Sequence, residues 1–265
     1  MISPAMSVPN LIDVVARLRA AGCVFAEEEA ALLVAEAGTT EQLDAMVAKR
    51  VAGHPLEQVL GWAEFCGLRV TVAPGVFVPR QRTRLMVDEA LRLLDEMPGE
   101  PVVVDLCCGT GAVGLAVVAA RPGVELHACD VDPDAVRCAR ANLGDRGRVY
   151  EGDLDEPLPP GLHGRVDVLL ANVPYVPTDE IALMPPEARV HEHRVALDGG
   201  RDGLATLARV AALAPRWLAL GGSVLCETSE RQAPRAVEIF ERNGLVGRVV
   251  SCDEATVVVG TLPGR

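Results

Sequence analysis

From residue 101 onward, short apolar runs alternate with helical segments, and this alternation constrains the fold more than any other feature. The predicted strands read VVVDLC, ELHACD, RVYEGD, VDVLLAN and SVLCET, and helices are predicted from Ala112, from Pro133, over 204–220 and over 234–243. Near-continuous apolar strands separated by helices indicate a parallel sheet that helices cover on both faces. The sequence therefore predicts an α/β fold of Rossmann type.

The last two predicted strands depart from this alternation. They cover 245–252 and 256–262, so only residues 253–255 separate them. So short a link permits only an antiparallel pair, because parallel strands need a crossover of about a dozen residues or more. We expect an antiparallel hairpin at the C-terminal end of the chain.

The first part of the chain has a helical pattern. Apolar residues recur at three-to-four spacing over 11–20, 26–37 and 40–52, and Thr39 or Thr40 is placed to cap the third segment. This pattern predicts a small helical N-terminal domain.

Between residues 61 and 78 the pattern changes to short β-like pieces around Gly67. A helix over 85–96 then leads into the first strand of the predicted sheet. We therefore divide the chain into a helical domain at 1–60, a hairpin linker at 61–84 and an α/β domain at 85–265.

Charge and hydropathy exclude some classes of function. The formal net charge is −12, which disfavours nucleic acid as a partner, because such binding depends on neutralising phosphates with Lys and Arg. No apolar run of about 18 residues or more is present, and the start of the chain lacks the basic and apolar pattern of a signal peptide. We expect a monomer in the cytoplasm with no membrane partner.

The cysteines and histidines do not form a metal-ligand pattern. The chain has eight cysteines and no CxxC pair, and several of the cysteines lie in apolar strand-like runs. His191 and His193 have no matching Cys or His pair elsewhere. We expect buried free thiols and no metal.

A glycine-rich loop follows the first predicted strand. Gly109, Gly111 and Gly114 allow a tight turn that brings the backbone close to a ligand, and the next helix offers free N–H groups at its start. Asp130 ends the second strand about twenty residues on, where a carboxylate can accept hydrogen bonds from ribose hydroxyls. The loop therefore predicts an adenosine-containing ligand.

Two cofactors fit this loop. The spacing of the glycines satisfies the dinucleotide fingerprint, so an NAD-dependent oxidoreductase is one interpretation. Asp105 lies four positions before the first glycine, and it would repel a pyrophosphate but suit a cationic amino-acid group. Asp153 follows the third strand, where it can meet an adenine amine. These acids and the closing hairpin favour S-adenosylmethionine.

The tetrapeptide Asn172-Val173-Pro174-Tyr175 follows the fourth strand, at the edge where open α/β sheets bind ligands. Asn172 offers a carbonyl acceptor, residue 173 a backbone carbonyl and Tyr175 an aromatic face. Two acceptors can take both hydrogens of a primary amide and direct its nitrogen towards a methyl group. An ordinary turn broken by Pro174 is the alternative interpretation.

With these motifs in place, the chain resembles the HemK/PrmC family of protein-glutamine N5-methyltransferases, which modify the glutamine of a Gly-Gly-Gln motif in peptide-chain release factors. The segments that carry the resemblance are HPLEQVLGWAEFCGLRVTVAPGVFVPR, DLCCGTGAVGLA, ACDVDPDAVRCARANL, GDLDEPL, LLANVPYVP and EARVHEHRVALDGGRDGL. The resemblance implies a Rossmann-type S-adenosylmethionine-dependent methyltransferase whose N-terminal helices select a protein substrate.

The resemblance also implies which residues form the site. Asn172 and Tyr175 would be catalytic, and Asn172, Val173, Pro174 and Tyr175 would hold the accepting nitrogen. The cofactor-binding residues would be Asp105, Cys107, Cys108, Gly109, Thr110, Gly111, Asp130, Asp153, Leu154 and Asn172.

The chain differs from the family pattern at several positions. The family's usual tetrapeptide is Asn-Pro-Pro-Tyr, and Val173 places this chain closest to a subgroup with no assigned substrate. The family segment Pro-Arg-Pro-Glu/Asp-Thr-Glu becomes Pro-Arg-Gln-Arg-Thr-Arg at 79–84. Arg80, Arg82 and Arg84 either line the route between the two domains or form a solvated surface.

Three other functions use the same motifs. An exocyclic base amine of nucleic acid presents hydrogens similar to those of an amide, although a base in a duplex would have to be flipped out. A small-molecule N-methyltransferase would use segment 79–84 to reshape its pocket. A cofactor-binding interaction module without catalysis is the fourth interpretation.

Overall fold

The computed structural model describes residues 8–97 and 99–264 and begins with a helical unit. The helices are α1 (Val8–Ala20), α2 (Ala26–Glu36), α3 (Thr40–Val51) and the short α4 (Leu56–Leu60). Thr39 caps α3, since its side chain accepts a hydrogen bond from the Gln42 backbone N–H. Leu18, Leu33 and Val47 are fully buried among the helices, so this unit has its own hydrophobic core.

A two-stranded hairpin follows the helices, as the β-like pattern around Gly67 predicts. Strands β1 (Trp62–Phe65) and β2 (Leu68–Thr71) pair antiparallel, with Phe65 opposite Leu68. The two turn residues have positive φ angles, 51° at Cys66 and 77° at Gly67, which is the pattern of a type I′ turn. Helix α5 (Arg84–Asp95) then leads to the central sheet.

The central sheet has seven strands. They are β3 (Val102–Leu106), β4 (Glu125–Asp130), β5 (Arg148–Glu151), β6 (Val166–Ala171), β7 (Leu218–Thr228), β8 (Val246–Cys252) and β9 (Ala255–Thr261). Their order is β5-β4-β3-β6-β7-β9-β8, with β9 antiparallel to both neighbours and the other pairs parallel. The predicted Rossmann-type sheet with its antiparallel C-terminal hairpin is confirmed.

Helices cover both faces of the sheet. The remaining ones are α6 (Ala112–Ala120), α7 (Pro133–Leu143), α8 (Pro186–His191), α9 (Ala205–Trp217) and α10 (Ala233–Arg242). Met86 of α5 and Val117 of α6 belong to the core on one face, while Trp217 and Phe240 of α9 and α10 belong to the core on the other. Among the described residues, no helix combines the length and the apolar character that crossing a bilayer requires.

The predicted helix over 204–220 is too long at its C-terminal end. Helix α9 stops at Trp217, and β7 begins at Leu218, which pairs with Val166 across a bulge. Gly221 takes a φ of 84° in this bulge, and an added Cβ at Gly222 would lie 2.7 Å from the Val166 carbonyl oxygen. Pairing with the neighbouring strand therefore overrides the local helical pattern.

Arg50 joins the helical unit to the segment that follows β6. Its guanidinium donates to Glu29 at 2.6 Å and to Glu187 of α8 at 2.6 Å, and Arg50 and Glu29 are both buried. Next to this contact, the rings of His54 and His191 lie 4.0 Å apart between centroids. The N-terminal helices therefore contact the segment between β6 and α9.

Candidate active site

A cleft lies at the carboxyl ends of β3, β4 and β6, where open α/β sheets bind ligands. Its wall contains almost every residue that the sequence predicts for the site: Asp105, Cys107, Cys108, Gly109, Thr110, Asp130, Asp153, Leu154, Asn172, Val173, Pro174 and Tyr175. Gly111 is the one predicted position that does not line the cleft. Segments far apart in sequence thus meet at one place, while the role of each residue stays a prediction.

The glycine loop leaves room for a ligand at one position and packs against a helix at the other. Gly109 has a φ of 55°, and a Cβ added there would meet no atom within 4 Å. Gly111 has a φ of 74° at the start of α6, and its added Cβ would lie 3.2 Å from the Cβ of Ala139 in α7. Gly109 therefore lets a ligand approach the backbone, whereas Gly111 lets two helices approach each other.

The Asp130 carboxylate, which the sequence predicts to bind ribose hydroxyls, also holds the glycine loop in place. One oxygen accepts from the Gly109 backbone N–H at 2.8 Å, and the other accepts from the Asp132 N–H at 2.9 Å. Burial raises the pKa of Asp130, although these backbone hydrogen bonds oppose the shift. Each carboxylate oxygen has a second lone pair, which a ligand hydroxyl can use.

Asp105 lies deeper in the cleft and is only 2% exposed. Its Oδ2 accepts a hydrogen bond from the Gly114 backbone N–H at 3.0 Å, in the first turn of α6. Burial raises the pKa of Asp105 to about 7, with a further contribution from the charge of Asp130. A buried carboxylate of this kind favours a cationic ligand group, because a cation compensates its charge.

The predicted adenine end of the cleft includes a residue that the sequence analysis missed. Asp153 accepts a hydrogen bond from Arg209 of α9 at 2.8 Å, and both side chains line the cleft. Leu154 is buried and has a φ of 50°. Arg209 lies 56 positions after Asp153, and no local pattern connects the two residues.

The thiols in and near the cleft are neutral. Burial raises the pKa of Cys107 and Cys108 well above the ordinary range, and the charge of Asp130 adds to the shift in both. Burial also raises the pKa of Cys129 to about 12. Since the thiolate is the nucleophilic form of cysteine, the raised pKa values disfavour these side chains as nucleophiles.

The predicted tetrapeptide begins where β6 ends. Asn172 is half-buried, and its side-chain amide makes no hydrogen bond with any part of 8–97 or 99–264. The Val173 side chain is 1% exposed and packs in the core. The Asn172 amide is therefore available to a ligand, while Val173 anchors the backbone.

Two glycines of the segment ALDGGRDGL let the chain pack closely on this tetrapeptide. A Cβ added at Gly199 would lie 2.6 Å from the Pro174 carbonyl oxygen, and one added at Gly203 would lie 2.2 Å from that of Tyr175. Gln232 also donates to the Tyr175 carbonyl oxygen at 3.0 Å. The tetrapeptide backbone is therefore held by contacts that only glycine permits.

The Tyr175 hydroxyl belongs to a three-residue cluster. It donates to Glu227 Oε1 at 3.1 Å and lies 2.5 Å from a guanidinium nitrogen of Arg82. Burial raises the pKa of Tyr175 to about 12, and the Glu227 carboxylate contributes to this shift. The sequence analysis missed Glu227, which lies in the apolar run SVLCET, where an acidic residue is itself an unusual feature.

The arginines of segment 79–84 have different environments. Arg80 donates to the buried Glu192 at 2.7 Å, and Arg82 donates to Glu227 at 3.1 Å. Both line the cleft. Arg84 is 68% exposed and lies beside Asp88 on α5. Of the two alternatives that the sequence leaves open, a place along the route between the domains therefore suits Arg80 and Arg82. A place on the solvated surface suits Arg84.

His193 contacts an acidic residue, Asp132, that the sequence analysis did not connect with it. Its Nδ1 lies 2.6 Å from Asp132 Oδ2, and its backbone N–H donates to the Gly75 carbonyl oxygen. One potential ligand atom each of Asp132, Asp134 and His193 lies within 4.8 Å of the others. The contact ties the segment after α8 to the start of α7 and to the linker.

Comparisons with known proteins give a consistent result. The model of the family described as "Methyltransferase small domain" matches residues 67–200. The chain is 36% identical over 202 residues to the release factor glutamine methyltransferase of Geobacter sulfurreducens. The aligned region covers 75% of this chain and 69% of that protein. It is 39% identical over 201 residues to the enzyme of the same name from Mycolicibacterium smegmatis, and this aligned region covers 75% of this chain and 70% of that enzyme.

Among solved structures, the methyltransferase from Pyrococcus furiosus superposes with a TM-score of 0.53 at 15% identity. The superposition covers 83% of this chain and 98% of that one. At this level of identity the likeness concerns the fold alone.

Proposed function

The chain belongs to the family of release factor glutamine methyltransferases, which are S-adenosylmethionine-dependent enzymes, and we propose that it methylates the side-chain amide nitrogen (N5) of a glutamine in a peptide-chain release factor. The observation that carries the proposal is the free Asn172 amide at the end of β6, in the same cleft as Asp105, Asp130 and Asp153. The enzyme would act in the cytoplasm, where translation ends. We also propose that it acts as a monomer, since one chain supplies both ends of the cleft.

The residues of the cleft fit S-adenosylmethionine. Asp105 would face its cationic amino-acid group, Asp130 its ribose hydroxyls and Asp153 its adenine amine. The backbone from Cys107 to Thr110 would lie against the ligand, with the open space at Gly109 allowing close approach. When bound, this cofactor supplies an electrophilic methyl group. A pyrophosphate would fit less well, because these carboxylates would repel it.

The acceptor would be held by Asn172 and the backbone of residue 173. The Asn172 side-chain carbonyl and the Val173 backbone carbonyl are two acceptors for the two N–H hydrogens of a primary amide. The Val173 side chain packs in the core, so replacing proline with valine leaves the carbonyl in the same role. This supports placing the chain in the Asn-Val-Pro-Tyr subgroup while keeping a glutamine amide as substrate.

Methyl transfer to an amide would depend on the positioning of the reacting groups more than on a general base. An amide nitrogen is a poor nucleophile because its lone pair is delocalised, so much of the rate must come from alignment and from the polar surroundings. Tyr175 would form one wall as a neutral phenol, given its pKa of about 12. The neutral thiols of Cys107 and Cys108 would leave the glutamine nitrogen as the group that accepts the methyl.

We further propose that three parts of the chain have separate roles. Residues 1–60 would select the protein substrate, residues 61–84 would link the two parts and residues 85–265 would hold the cofactor and the acceptor. The buried Arg50, which contacts both Glu29 and Glu187, supports this division because it connects the helical unit to the segment over the cleft.

The test is methyl transfer from radiolabelled S-adenosylmethionine to a purified, unmethylated bacterial release factor. Label should enter the release factor, and replacing the glutamine of its Gly-Gly-Gln motif with alanine should abolish labelling. Asn172→Ala should also abolish transfer while leaving cofactor affinity within about threefold, because this residue is assigned to the acceptor. The proposal is wrong if the release factor stays unlabelled while oligonucleotides or small metabolites from a lysate become labelled.

A further inference from the structure

The cluster formed by Tyr175, Glu227 and Arg82 contacts the tetrapeptide through the Tyr175 hydroxyl, whereas the Gly199, Gly203 and Gln232 contacts reach its backbone. Glu227 reaches this position through the register of the sheet. Ala171 of β6 pairs with Cys226 of β7, so the next residues, Asn172 and Glu227, lie side by side. The sheet therefore places a carboxylate next to the tetrapeptide.

This carboxylate depends on Arg82 for charge compensation. Glu227 is 2% exposed, and Arg82 is the cation that contacts it among the residues described. Glu227 Oε1 accepts from both Arg82 Nε and the Tyr175 hydroxyl, while Oε2 is buried without a hydrogen bond to the described residues. Leaving a buried carboxylate without its cation is costly, so this pair constrains the turn just before α5 as well as β7.

The hydrogen bonds fix the direction of the phenol. A guanidinium has donors and no acceptor, so Arg82 donates to the Tyr175 oxygen. The hydroxyl proton of Tyr175 is then directed to Glu227. With its oxygen acting as both acceptor and donor, the phenol is restrained by two hydrogen bonds, and its one hydroxyl proton is already directed to Glu227.

We propose that Arg82 and Glu227 are positioning residues, which hold the Tyr175 ring so that it aligns the acceptor nitrogen in the cleft. Neither residue needs to touch the reacting atoms. The inference rests on the proposed function for the identity of the acceptor, but the restraint on Tyr175 can be measured without any acceptor.

The chain has only two tyrosines, which makes the restraint accessible to spectroscopy. In a Tyr150→Phe background, incorporation of 3-fluorotyrosine gives one fluorine resonance, at position 175. Arg82→Met should shift this resonance and move its titration to higher pH, because a neighbouring cation lowers the pKa of a phenol. Glu227→Gln should move the titration to lower pH. Arg84→Met is the matched control, since Arg84 lies outside the cleft, and it should leave the resonance unchanged.

Kinetics with the release factor then separate positioning from folding. Arg82→Met should lower kcat by about tenfold, as expected for a misaligned reacting group, while the Kd for S-adenosylmethionine changes by less than about twofold. Arg82→Lys should recover part of the loss. The proposal is overturned if Arg82→Met leaves both the resonance and kcat unchanged, or if weaker cofactor binding accounts for the whole loss. If the unmodified enzyme does not methylate the release factor, the proposed function fails, and the fluorine resonance alone decides whether Arg82 restrains Tyr175.

Discussion

The ionisation of Asp105 should control the affinity of the cofactor. Asp105 is buried, and its pKa is raised to about 7. If the ionised carboxylate is the form that binds the cationic amino-acid group, then binding weakens as the pH falls through this pKa. The sign follows from the free protein, in which Asp105 is increasingly protonated below about pH 7 and the binding-competent fraction falls accordingly.

The size of the effect follows from that fraction. One pH unit below the pKa, about one tenth of the protein carries an ionised Asp105, so the apparent Kd should be about tenfold higher than at high pH. One pH unit above the pKa, the apparent Kd should be only about a tenth higher than at high pH. Asp130 also has a raised pKa, so its ionisation could add to the pH dependence of the unmodified protein.

Isothermal titration with S-adenosylhomocysteine, which has the same amino-acid end, measures this dependence between about pH 6 and pH 8.5. Titrations in two buffers of different ionisation enthalpy should also show proton release on binding near the lower pH. Asp105→Asn should bind more weakly at high pH and should lose the tenfold change. An equally steep profile in Asp105→Asn would assign the effect to another group and refute the reasoning.

Three further predictions concern binding and stability. Arg209→Gln should weaken cofactor binding by about threefold, because its ion pair lies at the predicted adenine end. Arg216→Gln removes a similar ion pair from the same helix but lies outside the cleft, so equal effects of the two changes in titration calorimetry would contradict this assignment. Arg50→Met should lower the free energy of unfolding by about 3 kcal/mol, since it leaves a buried carboxylate without its cation. Arg17→Met, at an exposed pair, should cost less than about 1 kcal/mol in the same urea titration, and similar losses would refute the distinction. Cys66→Asn should raise the free energy of unfolding by about 0.5 kcal/mol, because asparagine tolerates the positive φ of this turn better than cysteine does. A lower urea midpoint would show that packing of the thiol outweighs the turn.

Features with a local signature could be predicted from the sequence. Strand ELHACD is predicted with the same bounds as β4, because turn-forming residues flank its apolar run. The C-terminal pair is predicted to be antiparallel because three residues cannot form a crossover. The family, the enzyme class and the cofactor also follow from motifs within single segments, and the comparisons confirm them.

Features that depend on contacts between segments far apart in the sequence could not be predicted. The contact between Arg82 and Glu227 spans 145 positions, and that between Arg209 and Asp153 spans 56. No periodicity or spacing encodes which side chains meet when these segments pack together. The start of β7 at Leu218 was missed for the same reason, since its pairing with β6 depends on a glycine bulge.

The position of β9 has a consequence for how the enzyme matures. Strand β7, which presents Glu227, is flanked by β6 on one side and by β9 on the other, and β9 ends at Thr261. On the ribosome, the strand next to the predicted acceptor site would therefore keep an unpaired edge until β9 has been synthesised. The glycine loop, in contrast, follows β3, and Asp130 ends β4, and these two strands can pair much earlier. A nascent chain would thus assemble its predicted cofactor site first, and its predicted acceptor site would become complete only after β9 has emerged and paired with β7.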